Sequence, residues 1–124
     1  MESLIEHVLI VDDEELIAMS LRYQIEDLGI SVCSTATSAA DAIEQAQIYR
    51  PKVVLMDVRL RGERDGVDAS LVIHSVTGSR VIFITGSTES STVSRINRDH
   101  PWTILFKPIS HRQLQSAVTS AMAD

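Results

Sequence analysis

The chain has 124 residues and a mass of 13.7 kDa, which is enough for one domain with a single hydrophobic core. Its longest apolar runs, such as Val53–Met56, are only four residues long, and this excludes a membrane-spanning helix of the usual length. The net charge of −6 argues against direct binding to nucleic acid, which favours proteins with a basic face.

The cellular compartment is suggested by the cysteine count and by the N-terminus. Cys33 is the only cysteine, so no internal disulfide can form, and its apolar surroundings "ISVCSTA" predict a buried, inert thiol. The N-terminal "MESLIEH" is acidic and lacks the pattern of a secretory signal. We therefore expect a cytoplasmic protein that forms one domain over residues 1–124.

Five short apolar runs recur along the chain and predict five strands. They read "HVLIV", "ISVCSTA", "KVVLM", "RVIFI" and "TILF". Continuous apolar runs of this length are typical of strands that are buried on both faces, as in a parallel sheet.

Helical patterns separate and follow these runs. The first is marked by apolar residues at helical spacing, namely Ile17, Leu21, Ile25 and Leu28, and Gly29 suits its end. Thus the first strand is followed by a helix that covers the sheet.

The four later helices carry weaker or stronger end signals. Ser38 with Asp41 suits the start of the second helix, Asp65 the start of the third and Ser110 the start of the fifth. Residues 88–99 are rich in serine and threonine and give the weakest helical pattern. The third helix is expected to turn an apolar side inward that consists of Ala69, Val72, Ile73 and Val76. Five strand–helix units in a row predict a three-layer α/β sandwich around a parallel sheet.

Polar residues stand directly after four of the five predicted strands. They are Asp12 with Asp13, then Asp57, Thr85 and Lys107. Each has an ordinary explanation when taken alone: Asp13 as a helix cap, Asp57 as a turn cap, Thr85 as a partner of a loop amide and Lys107 as solvated surface. In a parallel sheet, however, the carboxyl ends of the strands meet at one edge, where ligands bind.

The chemistry of this combination suggests a phosphoryl site. Three neighbouring carboxylates, Asp12, Asp13 and Asp57, need a compensating cation, and oxygen ligands of this kind suit Mg²⁺. Lys107 adds positive charge and Thr85 a hydroxyl donor, so Asp57 is suited to act as a nucleophile toward a phosphoryl group.

Four short motifs carry a resemblance to a known family. "VDDE" at 11–14, "LMD" at 55–57, "FIT" at 83–85 and "FKP" at 106–108 resemble the motifs of response-regulator receiver domains, which the chemotaxis protein CheY typifies. The resemblance extends from about residue 7 to residue 122. It implies a flavodoxin-like (βα)5 fold with a parallel sheet in the strand order 2-1-3-4-5.

The resemblance also implies a role for each matching position. Asp57 would be the phospho-acceptor. Asp13 would bind Mg²⁺ directly, with Asp12 nearby or acting through water, and the backbone carbonyl of Arg59 would complete the protein ligands. Lys107 would contact the phosphoryl oxygens.

Further positions would carry the switch between inactive and active states. Thr85 would move to hydrogen-bond the phosphate, and Lys107–Pro108 would be a cis peptide bond. Gly86 would leave the acceptor open to donors, and Ser87, like Arg59, occupies a position that tunes the lifetime of the phosphorylated state. Ile104 departs from the family, which usually has an aromatic residue there.

The partners that the resemblance implies are proteins. A histidine kinase or a histidine phosphotransfer protein would supply the phosphoryl group, and the downstream effector would be a protein of unknown identity. The family also allows a phosphorylation-dependent homodimer. No direct contact with nucleic acid or membrane is expected, and the chain would catalyse only its own phosphorylation and dephosphorylation.

The same residues allow three other interpretations. A degenerate receiver would serve only as an interaction or dimerisation module. A haloacid-dehalogenase-type phosphatase would need a second aspartate two residues after the nucleophile, where Arg59 stands. A flavodoxin-like cofactor binder would need a phosphate-cradling loop where this chain has "DDEE". The four histidines, His7, His74, His100 and His111, show no spacing suited to a transition metal.

The loop after Asp57 is rich in arginine. Arg59, Arg61 and Arg64 are expected to be balanced by three acidic neighbours, namely Glu63, Asp65 and Asp68. This pattern predicts a solvated loop rather than an anion-binding patch.

Overall fold

The computed structural model describes residues 4–86, 89–99 and 101–123, and it contains five strands and five helices in strict alternation. The strands are β1 (Ile5–Val11), β2 (Ser31–Ala36), β3 (Pro51–Asp57), β4 (Arg80–Thr85) and β5 (Thr103–Phe106). The helices are α1 (Glu15–Asp27), α2 (Ala39–Tyr49), α3 (Gly66–Thr77), α4 (Ser90–Arg98) and α5 (His111–Met122).

The strands form one parallel sheet in the order β2-β1-β3-β4-β5. β3 lies at its centre and all seven of its residues are buried, as the continuous apolar run predicted. The predicted flavodoxin-like fold and its strand order are therefore confirmed.

A hydrophobic core lies on each face of the sheet. On one face, α2, α3 and α4 cover side chains that include Leu9, Val54, Met56 and Phe83. On the other face, α1 and α5 cover side chains that include Val8, Ile10, Leu55 and Ile82. Successive strand residues alternate between the two cores, which is why both faces of each central strand are apolar.

Most of the predicted helix ends are confirmed. Asp65 caps α3 and Ser110 caps α5, each within a capping box, and Ser38 accepts a hydrogen bond from the amide of Asp41 at the start of α2. Asp13 is not the N-cap of α1, so that interpretation is wrong: the helix begins at Glu15, and Glu14 occupies the N-cap position.

The inward side predicted for α3 is partly wrong. Ala69 and Ile73 are buried, but Val76 is 47% exposed because Thr77 occupies the core-facing position in the last turn. The hydroxyl of Thr77 donates to the carbonyl of Ile73, which satisfies this buried polar group.

The amino-terminal edge of the sheet holds the end of α5. Buried Lys52 donates to the carbonyl of Met122 at 2.7 Å, and Arg80 donates to the carbonyls of Ala121 and Ala123. The Arg80 guanidinium also lies 4.5 Å from the centre of the Trp102 ring. Cations at a helix C-terminus stabilise its unpaired carbonyls, so this edge is well satisfied.

Within the three described ranges, no helix is both long enough and apolar enough to cross a membrane.

Candidate functional site

The carboxyl-terminal edge of the sheet brings together the five residues that the sequence singled out. Asp57 is the last residue of β3 and Thr85 the last of β4, while Asp12, Asp13 and Lys107 directly follow β1 and β5. Four of them, all but Asp12, border a cleft of about 830 Å³, whose lining consists of Asp13, Glu14, Asp57, Val58, Arg59, Asp65, Thr85, Gly86, Glu89, Thr92 and Lys107.

Backbone hydrogen bonds continue past the strand ends and fix these positions. The amide of Asp12 donates to the carbonyl of Ala36 at 3.0 Å, and that of Lys107 donates to the carbonyl of Thr85 at 2.9 Å. The residues of the site are therefore held by the sheet itself, which limits their freedom to separate.

Three carboxylates form the centre of the site. One oxygen from each of Asp12, Asp13 and Asp57 lies within 4.8 Å of the others. Asp12 and Asp57 are buried, with Asp57 only 6% exposed, whereas Asp13 is half-buried. Asp12 accepts a hydrogen bond from the amide of Glu14 at 2.8 Å, which orients its carboxylate.

The environment disfavours negative charge on the two buried carboxylates. The pKa of Asp57 is raised to about 6, mainly because of burial, with Lys107 lowering it and the nearby charge of Asp12 raising it. Burial also raises the pKa of Asp12, against the hydrogen bond from Glu14. A positive charge in addition to that of Lys107 would therefore stabilise the ionised forms of both carboxylates.

Lys107 and its neighbour complete one wall of the cleft. The ammonium nitrogen of Lys107 lies 3.5 Å from Asp57 Oδ2, and its side chain is 37% exposed. The peptide bond between Lys107 and Pro108 is cis, as predicted. A cation in this place reaches both Asp57 and the open cleft.

Thr85 is buried at the end of β4 and lines the same cleft as Asp57, and Gly86 is exposed next to it. A Cβ atom added to Gly86 would meet no atom within 4 Å, so the cleft is open on this side. Ser87 lies outside the described residues. Ile104 is half-buried and packs on the core beneath α4, while Phe106, two residues on, is exposed.

The loop from Val58 to Asp65 is closed at its base by a tight backbone contact. The amide of Gly66 donates to the carbonyl of Val58 at 2.7 Å. A Cβ atom at Gly66 would lie 2.1 Å from the backbone oxygen of Asp57, so only glycine fits there. The first residue of α3 thus rests directly on the backbone of Asp57.

The expected balance of charge within this loop is wrong for Asp65 and Asp68. Both carboxylates pair with Arg95 of α4, at 2.8 Å and 3.4 Å respectively. None of the loop arginines, Arg59, Arg61 or Arg64, forms an ion pair within the described part of the chain. Nothing in the sequence singled out Arg95, because it lies in the helix with the weakest pattern and 27 or more residues from its partners.

Comparison with known proteins identifies relatives over almost the whole chain. The sequence model of the response regulator receiver domain matches residues 8–119. The transcriptional regulatory protein PdtaR of Mycobacterium tuberculosis is 31% identical over 94% of this chain, and the response regulator UvrY of Escherichia coli is 30% identical over 92%. The chain spans only 56% and 53% of these two proteins, so it corresponds to about half of their length.

Among solved structures, the signal receiver domain of a modulated diguanylate cyclase from Desulfovibrio desulfuricans is similar. It is 34% identical with a TM-score of 0.87, and the alignment covers 94% of this chain and 92% of that one.

Proposed function

The chain belongs to the response-regulator receiver family and has the phosphoryl-accepting role of that family in signal transduction; from this premise we propose that Asp57 is the acceptor. The observation that carries the proposal is the convergence of Asp12, Asp13, Asp57, Thr85 and Lys107 at one edge of the sheet.

Asp57 is proposed to act as a nucleophile toward a phosphohistidine donor. A carboxylate oxygen attacks phosphorus, an O–P bond forms, the P–N bond breaks, and the imidazole leaves with the electron pair. The reaction needs the ionised carboxylate. The raised pKa of Asp57, about 6, still leaves it mostly ionised at pH 7, and Lys107 at 3.5 Å favours that form.

The carboxylate cluster fits a divalent cation. Its donors are all oxygen, they lie within 4.8 Å of one another, and two of them are buried with raised pKa values. We assign Asp13, Asp57 and the carbonyl of Arg59 as ligands of Mg²⁺, with Asp12 nearby or acting through water. When bound, Mg²⁺ would neutralise charge on the carboxylates and on the phosphoryl oxygens.

Lys107 and Thr85 are proposed to recognise the transferred group. The ammonium of Lys107 would pair with a phosphoryl oxygen, and the hydroxyl of Thr85 would donate a hydrogen bond to another. Because Thr85 ends β4 and Gly86 leads toward α4, movement of Thr85 would bias the position of α4. Gly86, Ser87, Ile104 and Pro108 are proposed to tune this switch.

The wider biology is proposed on the same premise. A histidine kinase or a histidine phosphotransfer protein would donate the phosphoryl group in the cytoplasm. Residues 1–124 would act as one receiver domain, with its core at about 7–122, that turns over only its own phosphoryl group. Its output would pass to another protein or to a phosphorylation-dependent homodimer.

Acceptance of a phosphoryl group is tested with acetyl phosphate as the donor. Wild type, Asp57→Asn and Asp27→Asn are incubated with and without Mg²⁺, and intact mass and peptide mapping locate the adduct. Asp27 ends α1, far from the cleft, and provides a matched loss of one carboxylate. We expect an Mg²⁺-dependent adduct on Asp57 in wild type and Asp27→Asn, and none in Asp57→Asn.

Two other outcomes would overturn the proposal. If wild type formed no adduct under any of these conditions, the chain would be a phosphorylation-independent interaction module. Sustained hydrolysis of external phosphate esters would instead indicate an aspartate-nucleophile phosphatase.

Thr85→Ala is expected to separate phosphorylation from switching. The variant should still bind the phosphoryl mimic beryllofluoride but lose most of the chemical-shift change in α4, because the hydroxyl that follows the phosphoryl group is gone. Thr85→Ser keeps that hydroxyl and should respond like wild type. Equal α4 changes in Thr85→Ala and wild type would contradict the assignment.

A further inference from the structure

Helix α4 is held in place by little apolar packing. Of its nine residues, Ser90–Arg98, only Ile96 is buried. A helix with one buried side chain depends heavily on its polar contacts, because most helical stability in proteins comes from tertiary packing. The position of α4 therefore depends on its polar contacts with neighbouring elements.

Arg95 makes a forked contact from α4 to the start of α3. Its Nη1 donates to Asp65 Oδ2 at 2.8 Å and its Nη2 to Asp65 Oδ1 at 3.2 Å, while Nη2 also lies 3.4 Å from Asp68 Oδ1. Two parallel N–H···O bonds fix both distance and orientation, which a single surface ion pair does not. The pKa of Asp65 responds accordingly: burial acts to raise it, but the bonds from Arg95 and the amide of Asp68 lower it overall.

The two carboxylates that Arg95 holds are themselves fixed to the backbone. Asp65 Oδ1 accepts from the amides of Val67 and Asp68, and Asp68 Oδ2 accepts from the amide of Asp65. This capping box is rigid, because each side chain is bonded to the backbone of the other residue. A displacement of the box therefore displaces the first turn of α3 as a whole.

The first turn of α3 is in turn fixed to the acceptor. Gly66 follows Asp65 directly, bonds the carbonyl of Val58 at 2.7 Å and packs against the backbone oxygen of Asp57 with no space for a Cβ atom. Close-packed contacts of this kind transmit displacement, because they contain no free space in which either group could move alone.

We propose that Arg95 is a positioning residue that couples the acceptor loop, Val58–Asp65, to helix α4. The chain of contacts runs from the backbone of Asp57 through Gly66 and the Asp65–Asp68 capping box to the guanidinium. Together with the covalent route through Thr85 and Gly86, it connects α4 to the phosphoryl site at two points. The inference rests on the proposed function, since it describes how that site would be regulated.

Coupling of this kind is reciprocal by thermodynamic necessity. A phosphoryl group that moves the acceptor loop would shift α4 through Arg95, and a partner that holds α4 would shift the loop. Loss of the fork would leave the route through Gly86, so the α4 response should weaken rather than vanish.

The test compares four proteins, each with Mg²⁺ and with or without beryllofluoride. Arg95→Met removes the guanidinium, Arg95→Lys keeps the charge but loses the fork, and Arg98→Met is the matched control. Arg98 is an exposed arginine on the same helix, whose Nε donates only to the carbonyl of Ser94 within the described residues. Backbone amide chemical shifts report separately on the site, at Val58 and Gly86, and on α4, at residues 90–98.

We expect the chemical-shift changes that beryllofluoride causes at Val58 and Gly86 to be equal to those of wild type in all three variants. The α4 response should fall to about half of the wild-type value or less in Arg95→Met and to an intermediate value in Arg95→Lys, since typical coupling energies between sites correspond to severalfold effects. Arg98→Met should match wild type. A purely structural ion pair would change the melting temperature of Arg95→Met without changing the α4 response.

The outcomes are distinguishable. Equal α4 responses in Arg95→Met and wild type, or an equal loss in Arg98→Met, would overturn the coupling while leaving the proposed function intact. If Arg95→Met does not fold, Arg95→Lys decides: a wild-type response in that variant overturns the proposed need for the fork. If wild type itself binds no beryllofluoride, the proposed function fails before the coupling is tested.

Discussion

The two edges of the central sheet both carry charged side chains, but the charges are hydrogen-bonded to a helix end at one edge and clustered with like charges at the other. At the amino-terminal edge, Lys52 and Arg80 donate to the last carbonyls of α5, so each cation has protein partners. At the carboxyl-terminal edge, Asp12 and Asp57 are buried close together, with Lys107 3.5 Å from Asp57.

This difference separates stability from function. Paired and hydrogen-bonded charges at a helix end stabilise the folded state, whereas clustered buried carboxylates destabilise it unless a cation binds. A bound cation would thus stabilise the carboxyl-terminal edge, whereas the charges of the amino-terminal edge are already compensated by helix carbonyls.

Gly66→Ala should have the largest effect on stability, because it disturbs the tight contact with the backbone of Asp57. The new Cβ atom would lie 2.1 Å from the backbone oxygen of Asp57, and backbone atoms cannot turn away as a flexible side chain can. We expect a loss of about 3 kcal/mol in the free energy of unfolding, measured by urea denaturation.

Gly86→Ala is the matched control, since a Cβ atom there meets nothing within 4 Å. It should change the free energy of unfolding by less than about 0.5 kcal/mol. Equal losses in the two variants would show that the contact between Gly66 and Asp57 is not the tight one described.

Asp57→Asn should stabilise the protein at pH 7 in the absence of divalent cations. The pKa of Asp57 is raised from 3.8 to about 6, and two pKa units correspond to about 3 kcal/mol against the ionised form. We expect a gain of about 2 kcal/mol in urea denaturation, since asparagine still leaves a buried polar group.

The pH dependence of this gain has a definite sign. A raised pKa means that the folded state favours the protonated carboxyl, so the stability that Asp57 contributes is present below pH 3.8 and is lost as pH rises through about 6. The difference between Asp57→Asn and wild type should therefore be largest above pH 7 and smallest below pH 4. A gain that did not change with pH would assign the effect to packing instead.

Lys52→Met should destabilise the protein, by a smaller amount than Asp57→Asn stabilises it. It removes the buried donor to the carbonyl of Met122, which then remains unsatisfied at the end of α5. We expect a loss of about 1 kcal/mol in the free energy of unfolding. If removal of this cation stabilised the protein as removal of Asp57 should, the contrast between the two edges would not hold.

Local sequence signals were sufficient for the layered α/β architecture and for the centre of the site, while the strand order 2-1-3-4-5 came from the resemblance to receiver domains. Apolar runs such as Val53–Met56 defined the buried strands, and Asp65 and Ser110 marked helix starts. The site residues follow strands directly, so the geometry of a parallel sheet brings them together.

Contacts between distant residues were beyond the reach of these signals. The pairing of Arg95 with Asp65 and Asp68 depends on how α4 packs beside α3, and the nearby loop arginines offered equally plausible partners. Similarly, the tight contact of Gly66 with Asp57 depends on the path of the intervening loop. Val76 was misplaced because helical spacing defines an apolar side but not how much of it the neighbouring helices cover.

The effect of Mg²⁺ on stability tests whether the carboxylate cluster at Asp57 binds a divalent cation. Urea denaturation of wild type and Asp57→Asn is measured at constant ionic strength while Mg²⁺ is varied. A ligand that binds only the folded state raises its stability by RT ln(1 + [L]/Kd), so the stabilisation grows with the Mg²⁺ concentration. We predict that Mg²⁺ raises the wild-type midpoint and raises that of Asp57→Asn by less than half as much; a wild-type midpoint that does not move, or equal rises in both proteins, would contradict the account.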